Sequence, residues 1–566
     1  MDVAGSHAAE QNRLRRIAIF YQKVRDTSRV AGGERVVATL RSLRRARRRL
    51  KRIGFRLKEA EDGSVTVRRR KLRKKGDIAA TTVVAAMEAF ILRNQLVYGD
   101  GRRGRASWSL PLNTLALDED SARYVESALP SVIAEFAQFC RGVIRDCLDG
   151  KPASIPLLRG VPADVRDLWR RELSNTAGTP FCFRPDLVVT SSGDVKIVEF
   201  NVDSRLDRGV AEGVSRYSRS LIGSQRRLLG GKLVESYTDA ARTIVGESAP
   251  IFGATVTGTS WRREYFSEET FFCNELSRQA GLKWVVRHLE ELEVDARTGT
   301  VRDRATGMEF DILRIDFDLL GSFGEGRAQE VDFANAIMKP TATPYVGSML
   351  PFADKLLLAA ATTSDRTSPT LKAALCPTSL FSPTQYEPML RAQAEGQHFV
   401  LKKCGLFAET TGSKAVVISS DVGASAWREA VDQMLRDWRE ESALWVIQPR
   451  LQPKRFEVAY RRRVNSITKR ADCFVRLSPF YTQRMEPGDD VCFQLAGAVA
   501  TAGTDPETLN SGHFTIRGLR ESTYLAVTAP KVKFHPEESL ELMADVVGPP
   551  IAAEHFLSSI PCDQSA

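Results

Sequence analysis

The chain has 566 residues, with 81 Lys and Arg against 70 Asp and Glu and 43% apolar residues, a composition that excludes disorder over most of its length and leaves room for three or four domains at roughly 100–200 residues each. Its net charge of +11 comes from one end: residues 1–75 hold 24 basic and 7 acidic side chains, a net +17, and the other 491 residues carry −6. The isoelectric point of about 9.2 therefore describes neither part and does not make the whole chain a nucleic-acid binder.

The first residues are polar and show no secretory pattern. From Val36 to Ile53 apolar residues recur at alternating steps of three and four, the stripe of one helix whose other positions are almost all Arg and Lys. Two β-rich runs, from Phe55 and from Val65, flank Asp62-Gly63 and predict a hairpin. Three uses of this basic end remain open: a helix packed on the body by its stripe, a dock for an acidic peptide or protein, and nucleic-acid binding. Its aromatics are only Phe20, Tyr21 and Phe55, too few for a stacking platform, so nucleic acid is the least expected partner.

Ile78–Leu92 is a near-apolar run of 15 residues interrupted by Glu88. It is too short and too polar to span a bilayer, which needs about 20 residues, and it is expected to be a packed helix. Residues 78–150 read as mainly helical, and strands and helices alternate from 181 to about 530. Nine scattered cysteines without a C-x-x-C pair fit a cytoplasmic protein with buried thiols. Six histidines and no H-E-x-x-H leave only a hard, oxygen-bound metal.

Phe183–Asn201 is the most informative stretch. Two β-rich runs flank Ser-Ser-Gly-Asp, a hairpin signal. A turn centred on Ser192-Gly193 places Asp186 opposite Glu199 and Arg184 opposite Asn201, and the period of two puts all four on one face. Leu187, Val189, Val198 and Phe200 are then expected on the core face. Opposed carboxylates destabilise a sheet unless a cation lies between them. Asp186, Glu199 and Asn201 offer only oxygen, the donor type Mg²⁺ prefers, completed by substrate phosphates. Arg184 beside them suits a phosphate or carboxylate. The plain alternative is an exposed hairpin in which Arg184 neutralises Asp186.

Past this strand, Asp203, Asp207 and Arg208 read either as a substrate-facing loop or as a surface charge cluster. In Phe310–Phe317, alternation pairs Arg314 with Asp316 as a structural ion pair. Phe399–Lys403 predicts a strand ending in Lys402 and Lys403, followed by a Gly-bearing, hydroxyl-rich stretch, Cys404–Ser413, able to offer backbone N–H groups to phosphates. Ala443–Gln448 reads as an apolar strand. Arg476 ahead of Leu-Ser-Pro-Phe480 is a further candidate ligand residue, and Asn510–His513 a candidate loop. Glu537–Val547 suggests a short terminal helix.

R-x-D, a dozen residues, E-x-N, and a lysine strand with a glycine loop about 200 residues later resemble the synthetase domain of glutathionylspermidine synthase and, more broadly, circularly permuted ATP-grasp ligases. In ordinary ATP-grasp chains the nucleotide-binding lysines precede the E-x-N strand, and here the order is reversed. The resemblance implies an α/β (α+β) fold, a permuted ATP-grasp with nucleotide between two α+β subdomains, preceded by the basic helix and hairpin (1–75) and a helical region (76–180). The metal-binding and substrate half would cover 181–350, the nucleotide half 351–530, and a tail 531–566. It further implies Mg²⁺ on Asp186, Glu199 and Asn201, and Arg184 on the transferred phosphate. Lys355, Lys402, Gly405, Gly412, Ser413 and Lys454 would be nucleotide contacts, and Val446, Ile447 and Gln448 the strand whose backbone meets adenine. Lys403 replaces the family's proline, the second glycine comes only at Gly412, and Asp354 stands where the family has Asn. The N-terminal 180 residues carry no Cys–His amidase signature, and no substrate carries over. The expected activity is ATP- and Mg²⁺-dependent joining of a small-molecule or peptide carboxylate to an amine through an acyl phosphate; an ATP-grasp phosphotransferase is the alternative.

Overall fold

The structure is a computed structural model. It describes residues 55–59, 65–69, 75–94, 96, 108–151, 156–174, 179–203, 206–222, 225–246, 250–258, 263–279, 281–316, 327–405, 416–464, 466–484, 491–504 and 522–530. The helix expected at 36–53, Gly412 and Ser413, the 510–513 loop and the 537–547 helix lie outside these residues.

Two compact units divide the chain, residues 1–89 with 461–469, and the rest. In the first, strands Phe55–Glu59 and Val65–Arg69 pair antiparallel, with Leu57 opposite Val67, the hairpin that Asp62-Gly63 signals. Helix Lys75–Arg93 takes up the apolar run, and Arg461 donates to Thr81 Oγ1 and Thr468 Oγ1, each at 2.8 Å. No described helix is long and apolar enough to cross a membrane.

The second unit is a mixed α/β fold. Its parallel sheet places Tyr345–Val346, Ile312–Asp316, Ile251–Thr257 and Leu282–His288 side by side. Ile251–Thr257 is buried along its whole length, as a central parallel strand with both faces covered must be. A nine-stranded mixed sheet carries the Phe183–Asn201 segment: strands Cys182–Val189 and Val195–Val202 form a hairpin, and Cys182–Val189 also pairs with Lys469–Gln483. Helix Leu129–Leu148 covers this hairpin with a stripe at steps of three and four, including Val132, Phe136, Cys140 and Val143. Phe136 stacks on Phe200 at 4.0 Å, and Phe183 meets Phe200, Phe352 and Phe493 edge-on.

The third large sheet is antiparallel, in the order Ser379–Leu380, Trp445–Pro449, Phe399–Lys403, Val416–Ile418. Alternation divides its faces. Leu401, Trp445 and Ile447 pack with Trp427, Val431 and Met434 of helix Ala424–Arg439. Val400, Lys402 and Gln448 face the other way, into a cavity.

The short helix Arg208–Tyr217 crosses helix Arg263–Leu276 at Gly209, where a Cβ would enter the backbone of Glu268. Backbone cannot rotate aside as a side chain can. Gly209→Ala is therefore expected to cost about 1–3 kcal/mol of stability, read as a lower urea midpoint. Gly213→Ala, whose Cβ would meet only the end of the Leu96 side chain, should cost clearly less; equal midpoints would show that the crossing tolerates a side chain.

Candidate functional site

The hairpin register builds the site. Thr190 N–H donates to Asp194 O at 2.8 Å, so the turn holds three residues, Ser191–Gly193, with Gly193 at φ 96°. Next to the turn, Leu187 lies opposite Ile197. A bulge then takes up Val198, and beyond it Asp186 lies opposite Glu199 and Arg184 opposite Asn201, the pairs that the sequence implies. The turn and the bulge are each one residue away from the regular hairpin, and they cancel at the site. The bulge also corrects one expectation. Leu187, Val189 and Phe200 are core, but Val198 lines the cavity beside Glu199. Its carbonyl accepts from Lys402 Nζ at 2.8 Å and from Gln448 Nε2 at 3.2 Å.

A third strand completes the face. Leu477 lies opposite Leu187, so its neighbours Arg476 and Ser478 project on the same side as Asp186. Ser478 Oγ donates to Asp186 at 2.8 Å, and Arg476 Nη1 lies 3.7 Å from the other oxygen of Asp186. Three adjacent strands thus each give an i, i+2 pair: Arg476 and Ser478, Arg184 and Asp186, Glu199 and Asn201. The facing sheet contributes Lys402, whose Nζ is 3.6 Å from Glu199 Oε2, and helix Lys355–Thr363 contributes Lys355, 3.6 Å from Oε1. Asp354 caps that helix: its Oδ1 accepts from Leu356 N at 2.9 Å and from Gly405 N at 3.4 Å. A carboxylate where the resemblance has Asn thus ties the lysine helix to the start of the glycine loop.

Asp186, Glu199, Lys402, Gln448 and Arg476 line the cavity between the two sheets. Arg184, Asn201 and Lys355 are not among its lining residues. The carboxylates do not rely on each other's company: Arg184 Nε at 3.5 Å and Arg476 hold Asp186, and two lysines hold Glu199. Asn201 Nδ2 is buried and has no hydrogen-bond partner among the described residues. No group of three or more His, Cys, Asp or Glu able to hold a metal occurs among them. Two carboxylates and an amide are nonetheless hard donors of the kind that suits Mg²⁺ whose remaining positions are filled by phosphate oxygens.

Other expected residues fall elsewhere. Lys454 does not line the cavity; its ammonium is 3.4 Å from Asp118 and lies over the Phe456 ring. Val446 and Ile447 are flanked by strands on both sides, Leu380 and Lys402 opposite one, Ser379 and Leu401 opposite the other. Their backbone is committed to the sheet, and the segment that reaches the cavity is Gln448–Leu451. Asp203, Asp207 and Arg208 are buried and do not form a surface charge cluster. Asp203 is buried and accepts from the Phe181, Cys182 and Ser348 N–H groups; burial pushes its carboxyl up to about 7. Asp207, at φ 54°, binds Arg184 Nη1 at 2.8 Å. Arg208 reaches Glu269 at 3.2 Å and Asp316 at 3.7 Å. Arg314 donates to Glu269, and the charge of Asp316 adds to its stabilisation. These ion pairs join residues far apart in the chain, which alternation within one strand cannot reveal. Ser478 is the site residue that sequence reasoning missed, and the alternation Arg476-Leu477-Ser478 could have exposed it.

No protein-family model matches this sequence, and no curated protein does. Among solved structures, a glutathione synthetase-like effector from Globodera pallida superposes with a TM-score of 0.51 over 80% of this chain and 98% of its own, at 13% identity. The chain has a glutathione synthetase-like fold, and identity this low shows the fold alone. A putative γ-glutamylcysteine synthetase from Methylobacillus flagellatus KT covers 65% of this chain and 83% of its own at 11% identity, and its TM-score of 0.33 is too low to bear on the fold.

Burial alone would raise the Glu199 carboxyl, but Lys355, Lys402, Arg476 and Arg184 override it and hold it down at about 2. Burial lowers both lysines; Glu199 more than compensates at Lys355, whereas at Lys402 burial, with Lys355 adding to it, keeps the ammonium below its ordinary value. A depressed carboxylate stabilises the fold above its ordinary value of 4.5, and that stabilisation is lost as pH falls toward about 2. The stability difference between the parent and Glu199→Gln should therefore shrink as pH falls from 4.5 to 2, measured by urea unfolding. A difference independent of pH would show that the lysines do not grip Glu199.

Proposed function

We propose that this chain is an ATP- and Mg²⁺-dependent carboxylate–amine ligase built on a circularly permuted ATP-grasp. The observation that carries the reading is the cavity itself: four cationic side chains from two sheets and a helix converge on the opposed carboxylates Asp186 and Glu199. The chain order supports the permuted arrangement, since Glu199-x-Asn201 precedes Lys355 and Lys402. The glutathione synthetase-like fold agrees with a ligase.

In this reading Lys355 and Lys402 neutralise the polyphosphate, and Arg476, which lines the cavity, meets the transferred phosphoryl group. Arg184, held by Asp207, steadies Asp186 and the same charge from behind. Asp186, Glu199 and Asn201 would hold Mg²⁺, which supplies charge neutralisation on the phosphate oxygens when bound. Gly405, Gly412 and Ser413 belong to the segment that would cover them. The substrate carboxylate takes the γ-phosphoryl group of ATP and releases ADP. An amine then attacks the acyl phosphate, giving an amide, phosphate and a proton. Positioning and charge neutralisation do most of this work.

Purified protein with ATP and Mg²⁺, screened against amino acids, peptides and polyamines as acid and amine, should release ADP and phosphate only when a matched pair is present. Arg476→Met should lower kcat by about 10²–10³-fold, and Glu199→Gln should abolish turnover. A stable phosphorylated product made without any amine would favour the phosphotransferase reading, and unchanged turnover in Glu199→Gln would overturn the site.

The net +17 of residues 1–75 also supports steering of an acidic partner. Association with an acidic peptide should then weaken steeply as ionic strength rises to about 0.15 M. Binding insensitive to salt would remove this role.

A further inference from the structure

Each oxygen of Glu199 faces an ammonium. Oε1 lies 3.6 Å from Lys355 Nζ, and Oε2 lies 3.6 Å from Lys402 Nζ. The two lysines reach it from different elements, the first residue of helix Lys355–Thr363 and the strand Phe399–Lys403. Lys402 is fixed further by the bulge carbonyl of Val198 at 2.8 Å, and that carbonyl is steadied by Gln448, whose amide also donates to Thr378 at 2.9 Å. Asp186 has its own cations in Arg184 and Arg476. Both carboxylates suited to a divalent cation are therefore already neutralised by the protein.

A divalent cation arriving alone would have to displace an ammonium from Glu199 and remain beside four positive side chains. At these separations in a half-buried site, that repulsion is large. A polyphosphate reverses the balance. It gives Lys355 and Lys402 anionic oxygens in place of Glu199, leaves Glu199 in need of a cation, and supplies the oxygens that complete a hard ion's coordination. Resting on the reading of this cavity as a nucleotide site, we infer that the site admits a divalent cation only together with a polyphosphate chain, Lys355 and Lys402 acting as resident counter-ions that the polyphosphate draws away. Linkage makes the effect reciprocal: the cation tightens the nucleotide by the same factor.

The test is Mn²⁺ binding to the full chain, followed by electron paramagnetic resonance, with and without the β,γ-imido analogue of ATP. Mn²⁺ should bind the parent at least about tenfold more tightly when the analogue is present. Lys355→Met and Lys402→Met should each bind Mn²⁺ alone more tightly than the parent does, while binding the analogue more weakly. A site whose metal affinity rises when a cation is removed is not explained by a merely structural lysine. Glu199→Gln should abolish the coupling while leaving analogue binding measurable. Equal Mn²⁺ affinity with and without the analogue overturns the inference and leaves the nucleotide reading intact. So does a pair of folded lysine variants, checked by circular dichroism, that bind Mn²⁺ alone no better than the parent. An analogue that fails to bind the parent at all, with or without metal, overturns the nucleotide reading and the inference with it.

Discussion

Two carboxylates held opposite one another on neighbouring strands are the constraint around which this structure is arranged. Asp186 and Glu199 share one face of a hairpin, and like charges so placed weaken a sheet. The protein compensates each of them separately: arginines from the same sheet for Asp186, lysines from a helix and a second sheet for Glu199. Because the lysines come from outside the hairpin, neutralising Glu199 also joins the two sides of the cavity. The same contacts that relieve repulsion assemble the site.

The bulge at Val198 shows how a small backbone irregularity serves this arrangement. It restores the register that brings Asp186 opposite Glu199, turns Val198 toward the cavity, and releases a carbonyl that Lys402 and Gln448 share. Bulges commonly sit where a strand must re-aim a side chain. Here the carbonyl accepts from a lysine that burial holds below its ordinary value even with Glu199 beside it. A buried ammonium in that condition favours an anion richer in charge than a single carboxylate.

Behind the hairpin, the turn Asp207-Arg208-Gly209 does three different jobs in three consecutive residues. Asp207 anchors Arg184, Arg208 enters a buried cluster with Glu269 and Asp316, and Gly209 lets two helices touch backbone to side. The φ of 54° at Asp207 is a conformation that L residues other than Gly adopt at a cost and that Asp tolerates better than most. Local strain of this kind persists only where the surroundings enforce it. The enforcing contacts come from helix Arg263–Leu276 and the end of strand Ile312–Asp316, both more than 50 residues away in the chain.

The face carrying Arg184, Asp186, Glu199 and Asn201 was legible in the sequence because a strand alternates with period two and a hairpin pairs its own neighbours. The apolar run at 78–92 could likewise be recognised as a packed helix from its length and composition. These are local rules, and they hold without knowledge of the rest of the chain. Which cations meet the carboxylates was not local. Lys355 and Lys402 lie about 150 and 200 residues beyond Glu199, Ser478 reaches Asp186 across 292 positions, and Arg314 reaches Glu269 across 45. The sequence alone determined the pattern of one hairpin face and the segregation of positive charge to residues 1–75. Only the tertiary structure decided what compensates that face, because buried charges take their partners from whatever the packing of distant elements brings within reach.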